Sequence, residues 1–350
     1  MPVAIKLTRR GRLTVFISAG AVAVIALVVG IALAMSGGKS GVPWSSSYQT
    51  PAPEVIAPLT GKVTTADKIN NPAMSVKICN VEDCEPEIGL NQADIVFEEI
   101  VEGGISRYVS VWQSDIPETV GPVRSVRPMD GDIAAPFGGI LVYSGYGAEE
   151  THQIALQSGL VNVTENNPNM YRLGGGRVAP YNLALHAQQV IKENPGPAPA
   201  QQFAYSSGVE TSTAAVDGGP AQNIKIAMSG SSQNQWQYDA ASGKFLRWQW
   251  GGPDKDADGK QLASTNVAVM RVNVEQFVGV PRTIMIGSGE AYVATGGKVV
   301  HGKWTKAGTK DPIVFTDDNG VTIRMAPGNT WIELVPTGGY VVPGSATFSG

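Results

Sequence analysis

The longest apolar run of the chain extends from Leu13 to Met35, and its 23 residues include no charged side chain. A helix of about 20 residues crosses the hydrocarbon core of a bilayer. Arg9, Arg10 and Arg12 precede the run, so the positive-inside rule predicts a cytoplasmic N-terminus and an extracytoplasmic body. A cleaved signal peptide is the alternative, because an A-x-A sequence ends at Ala34. Both interpretations place the body outside the plasma membrane. If the apolar helix is not cleaved, the chain is a single-pass membrane protein.

Two β-rich runs with a Gly-Gly pair between them predict a hairpin in the first half of the body. The runs are 94–102 and 105–113, and Gly103-Gly104 suits a two-residue turn. This turn would place Ile100 opposite Arg107, with Glu98 and Glu102 on the same face of the sheet as Arg107. The face is interpreted either as a polar pocket, in which Glu98 or Glu102 is a candidate acid or base, or as a structural ion pair.

From Asn223 onward, short β-rich runs alternate with Gly and Asp turns, which predicts a mainly antiparallel β domain. The first half mixes strands with a helix predicted over 183–193, so the fold class is α+β, with an N-terminal membrane helix. Two stretches rich in Pro, Gly and Ser predict linkers. The expected organisation is a cytoplasmic N-terminus (1–12), a membrane helix (13–35), a linker (36–58), a mixed α/β domain (59–195), a second linker (196–220) and a β-rich domain (221–340).

The charge of the chain is distributed unevenly. The first 40 residues carry five basic side chains and no acid, which leaves 21 basic and 30 acidic residues in the remainder. An acidic body lacks the basic footprint that nucleic-acid binding requires. We therefore expect no nucleic-acid partner, although a local basic pocket remains compatible with this composition.

Arg124 and Arg127 stand just before Pro128, a residue that suits the first turn of a helix. Two guanidinium groups near a helix N-terminus could bind a phosphate or carboxylate. The alternative is ordinary capping and salt bridging by the nearby acids Asp130 and Asp132.

Arg172 and Arg177 flank a triple glycine, a sequence that lets the backbone approach a ligand closely and is equally typical of a flexible loop.

Cys79 and Cys84 are the two cysteines of the chain, and outside the membrane we expect them to form a disulfide. The segment from Asp254 to Gly259 resembles the start of an EF-hand loop. Its twelfth position is Thr265 and its flanks are predicted strands, so a hairpin loop is the better interpretation. No metal site and no cofactor are predicted.

Several motifs resemble those of the YerB-like family of bacterial envelope proteins, a family of unknown function with an N-terminal and a C-terminal domain. The matching stretches include ADIVFE (93–98), EGGISR (102–107), GPVRSVR (121–127), RVAPYN (177–182), GKW (302–304) and PGNTW (327–331). The resemblance covers about 58–337 and implies an envelope location. Many relatives are lipoproteins, whereas this chain has no lipidation cysteine, and Tyr181 stands where relatives tend to have His.

The resemblance adds the hypothesis that the arginines of the first domain converge on one pocket. The predicted ligand-binding residues are Arg107, Arg124, Arg127, Arg172, Arg177 and Asn182. The predicted function is binding of an anionic cell-envelope glycan or glycopeptide. The alternatives are an enzyme that acts on a wall polymer with Glu98 or Glu102 beside Arg107, and a scaffold for other envelope proteins.

Overall fold

The structure is a computed structural model that describes residues 54–350. Most of its regular secondary structure consists of β-strands. The membrane helix predicted over 13–35 lies outside the described residues. Within residues 54–350, no helix combines the length and the apolar character needed to cross a membrane.

The described residues contain strands that we number in chain order. The strands are β1 (Glu54–Ile56), β2 (Val63–Thr65), β3 (Met74–Asn80), β4 (Ile95–Ile100), β5 (Ser106–Trp112), β6 (Thr119–Val120), β7 (Ile140–Val142), β8 (Val161–Val163), β9 (Met170–Arg172), β10 (Leu183–His186), β11 (Ala204–Tyr205), β12 (Gly219–Pro220), β13 (Asn223–Ala227), β14 (Gln233–Asp239), β15 (Lys244–Gln249), β16 (Gly252–Pro253), β17 (Ala263–Ser264), β18 (Asn266–Phe277), β19 (Val280–Thr283), β20 (Gly287–Thr295), β21 (Lys298–Lys306), β22 (Val314–Asp317), β23 (Arg324–Met325), β24 (Thr330–Gly339) and β25 (Ser345–Ser349).

The helices of the same residues are short. The α-helices are α1 (Ala66–Ile69), α2 (Asp130–Ala134), α3 (Glu149–Gln157), α4 (Ala187–Glu193) and α5 (Thr213–Asp217), and the 3₁₀ turns are Glu82–Cys84, Leu90–Gln92, Glu102–Gly104, Ala135–Phe137 and Val209–Thr211.

A twelve-stranded sheet runs through both halves of the body. Its order is β12-β21-β20-β18-β24-β4-β5-β3-β7-β8, with β19 and β22 added at β18 and β21. The junction is a parallel pairing of β24 with β4, in register from Thr330 opposite Ile95 to Glu333 opposite Glu98. Residues of the second half therefore continue the sheet that the first half begins.

A second, six-stranded antiparallel sheet has the order β16-β15-β14-β13-β25, with β17 paired to β15. Its inner face shares one apolar core with the large sheet, where Trp236 and Trp331 meet edge to face with ring centroids 5.1 Å apart. The opposite face of the large sheet carries a separate core that includes Phe97, Val109 and Ile332. Successive side chains of a strand point to opposite faces, so the strands of the large sheet contribute to both cores.

The structure confirms the coarse fold class and corrects one predicted element. Strands and helices both occur, with strands predominating, and the second half is largely antiparallel. The helix predicted over 183–193 begins only at Ala187, because Leu183–His186 is a strand that pairs with β6 and β9. Backbone pairing with these two neighbours outweighs the helical pattern of that short stretch.

Candidate anion-binding site

The candidate site is built on the face of the large sheet that carries Arg107. On β5, Arg107 lies opposite Glu99 of β4 and Cys79 of β3. Lys77 precedes Cys79 by two positions in β3 and therefore shares this face. All four side chains come from three neighbouring strands of the large sheet, β4, β5 and β3.

The hairpin register differs from the predicted one by a single residue. Ile100 lies opposite Ser106, not opposite Arg107. The reason is the turn, which contains three residues rather than two and has both of its glycines at positive φ. A shift of one residue moves every side chain to the other face of the sheet. Glu98 therefore points away from Arg107.

Arg107 and Arg127 lie together beneath the hairpin turn. Nη1 of Arg107 donates to the carbonyl oxygen of Ser125 at 3.1 Å. Nε of Arg127 donates to Oε2 of Glu102 at 2.7 Å, and its Nη1 donates to the carbonyl oxygen of Val126 at 2.9 Å. Arg107 is 6% exposed and Arg127 is 5% exposed, so both guanidinium groups are largely removed from water.

Arg124 forms the partly exposed edge of the same group. Its backbone N–H donates to the carbonyl oxygen of Lys77 at 2.8 Å, which ties this segment to β3. Its Nη1 donates to the carbonyl oxygen of Pro180 at 3.1 Å, and its guanidinium carbon lies 5.0 Å from the centre of the Tyr181 ring. We call Arg107, Arg124 and Arg127 the arginine group.

Asp130 occupies the start of the helix that was predicted to help bind an anion. Its Oδ1 accepts from Nζ of Lys77 at 2.9 Å, and its Oδ2 accepts from the backbone N–H of Arg127 at 2.8 Å. Lys77 also pairs with Glu99. The helix α2 is five residues long. Asp130 therefore forms a salt bridge next to this helix terminus, which has no side-chain capping hydrogen bond. An anion would have to be bound by the arginine side chains.

The pKa shifts of the cations reflect burial and mutual repulsion. Burial, together with the charges of Arg127 and Arg124, lowers the pKa of Arg107 to about 9. Burial also lowers the pKa of Lys77 to about 8, against the opposing effect of Asp130. The pKa of Arg124 is lowered as well, chiefly by burial. In all three residues the main cause is burial, which disfavours the charged form.

Cations outnumber carboxylates around this site. Two of the cations have ion-pair partners, since Lys77 pairs with Glu99 and Asp130, and Arg127 pairs with Glu102. Within residues 54–350, Arg107 and Arg124 make no ion pair and donate to backbone carbonyls instead. The site therefore carries a small excess of positive charge, which comes from Arg107 and Arg124.

The other predicted ligand-binding residues lie on the loop beside Tyr181. Nη1 of Arg172 donates to Oδ1 of Asn182 at 2.9 Å. Nη1 of Arg177 donates to the carbonyl oxygen of Cys84 at 2.6 Å, and this arginine also binds the carbonyl of Pro86. Arg177 thus anchors its loop to the segment after β3. The side-chain hydrogen bonds of these residues go to one another and to backbone, and within the described part of the chain none joins them to a side chain of the arginine group.

Glu98 belongs to a separate buried network on the opposite face of the sheet. Its Oε2 accepts from Nη2 of Arg247 at 2.7 Å and from Nδ2 of Asn234 at 3.1 Å. Its Oε1 accepts from Oγ of Ser106 at 2.7 Å and from Nδ2 of Asn80 at 3.1 Å. The hypothesis that Glu98 acts beside Arg107 is therefore wrong, because the register places them on opposite faces.

The two cysteines form the predicted disulfide, with Cα atoms 6.1 Å apart. The bond joins the end of β3 to the 3₁₀ turn Glu82–Cys84. It thereby holds the segment to which Arg177 is anchored.

Comparison with known proteins places most of the body in one family. The model described as "Protein of unknown function (DUF3048) N-terminal domain" matches residues 59–198, and the corresponding C-terminal domain model matches residues 224–332. The chain belongs to the DUF3048 family. This result confirms the resemblance to the YerB-like family seen in the sequence motifs.

Two comparisons with individual relatives agree with the family. The DUF3048 chain is 27% identical over 301 residues to a protein named "Putative lipoprotein YerB" of Bacillus subtilis (strain 168), covering 81% of this chain and 87% of the relative. It also resembles the crystal structure of YerB protein from Bacillus subtilis with a TM-score of 0.71 at 22% identity. That likeness covers 84% of this chain and 99% of the other, and it shows a shared fold.

Two residues of this DUF3048 protein, Lys77 and Arg247, belong to these buried clusters although they were not predicted from the sequence. Lys77 joins the face of Arg107, and its position in an alternating strand two residues before Cys79 was the available signal. Arg247, which binds Glu98, lies on β15 between inward-facing Phe245 and Gln249. A basic residue at an inward position of an alternating strand indicates a buried ion pair, although the sequence cannot name its partner.

Proposed function

We propose that this DUF3048 protein binds an anionic group of a cell-envelope glycan or glycopeptide at the arginine group. The observation that carries the proposal is the pair of guanidinium groups, Arg107 and Arg124, that have no carboxylate partner among the described residues. Arginine presents a planar fork of donors that matches phosphate and carboxylate oxygens. An anion placed between these side chains would neutralise charge that the fold leaves uncompensated.

Burial makes this surface more favourable for an anion than exposed arginines would be. A guanidinium that is 6% exposed, as Arg107 is, has already lost most of its hydration on folding. Binding therefore adds little further desolvation of the protein, while the low local dielectric strengthens the attraction. The partly exposed Arg124 supplies the accessible edge through which a polymer would approach.

An extracytoplasmic location forms part of the proposal. A relative along most of the chain is named a putative lipoprotein, and the uncharged run 13–35 preceded by three arginines has the length of a membrane span. Together they support a body held on the outer surface of the plasma membrane, where wall polymers are the abundant polyanions.

An enzyme that uses Glu102 beside Arg107 remains the alternative. Burial raises the pKa of Glu102, but its hydrogen bond and ion pair with Arg127 outweigh that effect and leave the pKa lowered. A general acid at neutral pH needs a raised pKa. The contacts of Glu102 therefore support binding better than catalysis.

Co-sedimentation of the full-length protein with isolated cell wall tests the proposal. The variants are Arg124→Gln and Arg107→Gln, and the matched control is Arg324→Gln, which removes an exposed arginine of β23. Loss of one charge-assisted hydrogen bond costs about 1.5–3 kcal/mol, so we expect the wall affinity to fall about ten- to hundredfold for the two variants. The control should retain wild-type affinity.

A second arm uses wall from which phosphate polymers have been removed. Lost binding would identify phosphate as the anion, and retained binding would identify carboxylate. Equal affinity of wild type, Arg124→Gln and Arg107→Gln on both materials would contradict the proposal and favour the scaffold alternative.

A further inference from the structure

A group of three carboxylates lies at the meeting point of the two halves of the body. Glu85 and Glu87 follow the disulfide turn, and Asp254 follows β16. One oxygen from each side chain lies within 4.8 Å of the others. Two oxygen ligands of one Ca²⁺ ion, each at about 2.3–2.6 Å, can be separated by up to roughly 5 Å. The spacing therefore suits a single calcium-sized ion.

Buried carboxylate oxygens without hydrogen-bond partners lie within this group. Glu87 is 1% exposed, and neither of its carboxylate oxygens has a hydrogen-bond partner. Oδ1 of Asp254 is likewise buried without a partner, while the other carboxylate oxygen binds Arg247. Buried carboxylate oxygens are normally hydrogen-bonded, because leaving one unpaired costs about 1–3 kcal/mol or more. Three such oxygens in one place require an explanation.

The charges around the three carboxylates also favour binding of a cation. Glu85, Glu87 and Asp254 act on one another, and the positive charge that acts on them comes from Arg247. Arg247 is already shared with Glu98. Burial, followed by the charge of Asp254, raises the pKa of Glu85 to about 7 and that of Glu87 well above its usual value. A divalent cation would compensate the excess negative charge.

Backbone contacts hold the two ligand-bearing segments in place. The N–H of Ala257 donates to the carbonyl oxygen of Glu87 at 2.8 Å. The carboxylate of Asp256 accepts from the N–H groups of Gly89 and Asn91, both at 2.9 Å. These bonds fix the position of Asp254 relative to Glu87, which limits the reorganisation that binding would require.

Access to solvent is provided by Glu85. Its side chain is exposed, whereas the other two carboxylates are buried. The carbonyls on either side of Glu85 are bound by Arg177, and the adjacent Cys84 is disulfide-bonded. An ion could enter at Glu85 and complete its shell with water.

The geometry points to a calcium-binding site formed by Glu85, Glu87 and Asp254, independent of the arginine group. An all-oxygen set of carboxylates suits a hard divalent cation. The site differs from the EF-hand that the segment 254–259 resembles, because Asp256 caps backbone N–H groups and Asp258 pairs with Lys260 at 2.7 Å. Two of its three ligands come from a segment more than 160 residues earlier in the chain.

Calorimetric titration of CaCl₂ into the chelator-treated full-length protein tests the site. We expect one equivalent of Ca²⁺ to bind and to raise the Tm. Glu87→Gln should weaken the affinity at least about tenfold, which is the usual scale for damage to a metal site. Asp258→Asn is the matched control, since it removes an exposed acid of the same loop, and it should bind as the wild type does.

Glu85→Gln provides a variant that keeps the buried residues intact if Glu87→Gln fails to fold. It too should weaken the affinity at least about tenfold. The site is contradicted if the wild type binds no Ca²⁺ at millimolar concentration, or if the two glutamate variants bind as tightly as the wild type. Weakening of Asp258→Asn equal to that of Glu85→Gln would also contradict it, because general loss of surface charge would then explain both.

Discussion

Replacement of Arg247 by methionine should remove a large share of the folding stability. Arg247 is fully buried and donates to Glu98 at 2.7 Å, and it also pairs with Asp254. Its guanidinium carbon lies 5.2–5.9 Å from the ring centres of Tyr108, Trp236 and Trp331. The side chain thus joins the large sheet to the six-stranded sheet through both charge and packing.

The magnitude follows from the contacts that are lost. Each hydrogen bond to a charged group contributes about 1.5–3 kcal/mol, and removal of one partner from a buried ion pair costs about 3–5 kcal/mol because a carboxylate is left buried and uncompensated. Methionine fills much of the volume, so the loss from packing is small by comparison. We expect the free energy of unfolding to fall by about 3–5 kcal/mol, out of a total of about 5–15 kcal/mol.

Chemical denaturation of the full-length protein, followed by tryptophan fluorescence, measures this loss. Arg324→Met is the control for removal of an exposed arginine and should change stability by less than about 0.5 kcal/mol. Addition of Glu98→Gln to Arg247→Met should restore part of the loss, because the uncompensated charge is removed. A loss below about 1 kcal/mol in Arg247→Met would contradict the stabilising role of the buried ion pairs of Arg247.

Three further predictions follow from buried groups. Burial and the charge of Glu98 raise the pKa of Glu333 from 4.5 to about 8, so stability should fall by up to about 1.4 kcal/mol per pH unit as the pH rises through that range. Glu333→Gln should flatten a denaturation series across it, and an unchanged slope would contradict this. The disulfide closes a short loop, because the cysteines are five positions apart. Cys79→Ser/Cys84→Ser should therefore lower the free energy of unfolding by about 2 kcal/mol, to the value of the reduced wild type. A double variant as stable as the oxidised protein would contradict this stabilisation. In Gly139→Ala, the new Cβ would overlap the carbonyl oxygen of Ala73, whereas in Gly138→Ala it would meet open space at a similar positive φ. Thermal denaturation should show a clearly larger loss of stability for position 139, and equal losses would exclude the clash.

Local features of the fold were predictable because they depend on neighbouring residues. The strands β4 and β5 follow from runs of β-branched and aromatic residues on either side of Gly103-Gly104. The Cys79–Cys84 bond follows from short spacing and the expected compartment. The hairpin register was not predictable from these runs, because two-residue and three-residue turns both accept a glycine pair.

The long-range contacts could not be predicted from one sequence. Arg247 and Glu98 are separated by 149 residues, and the sequence of either strand leaves its partner open. Likewise, Leu183–His186 has a helical pattern, and its pairing with Thr119–Val120 becomes evident only when the sheet is assembled. The arginine group combines a local and a long-range feature. The motif GPVRSVR contains Arg124 and Arg127, whereas the register of β5 decides whether Arg107 lies beside them.

A comparison of wall binding between Arg124→Gln and Arg324→Gln shows whether the arginine group binds an anion of the cell wall. Both variants lose one positive charge, and one of these charges belongs to the arginine group. If the arginine group binds the wall anion, Arg124→Gln will bind cell wall about ten- to hundredfold more weakly than Arg324→Gln at the same salt concentration. Equal binding of the two variants would contradict it.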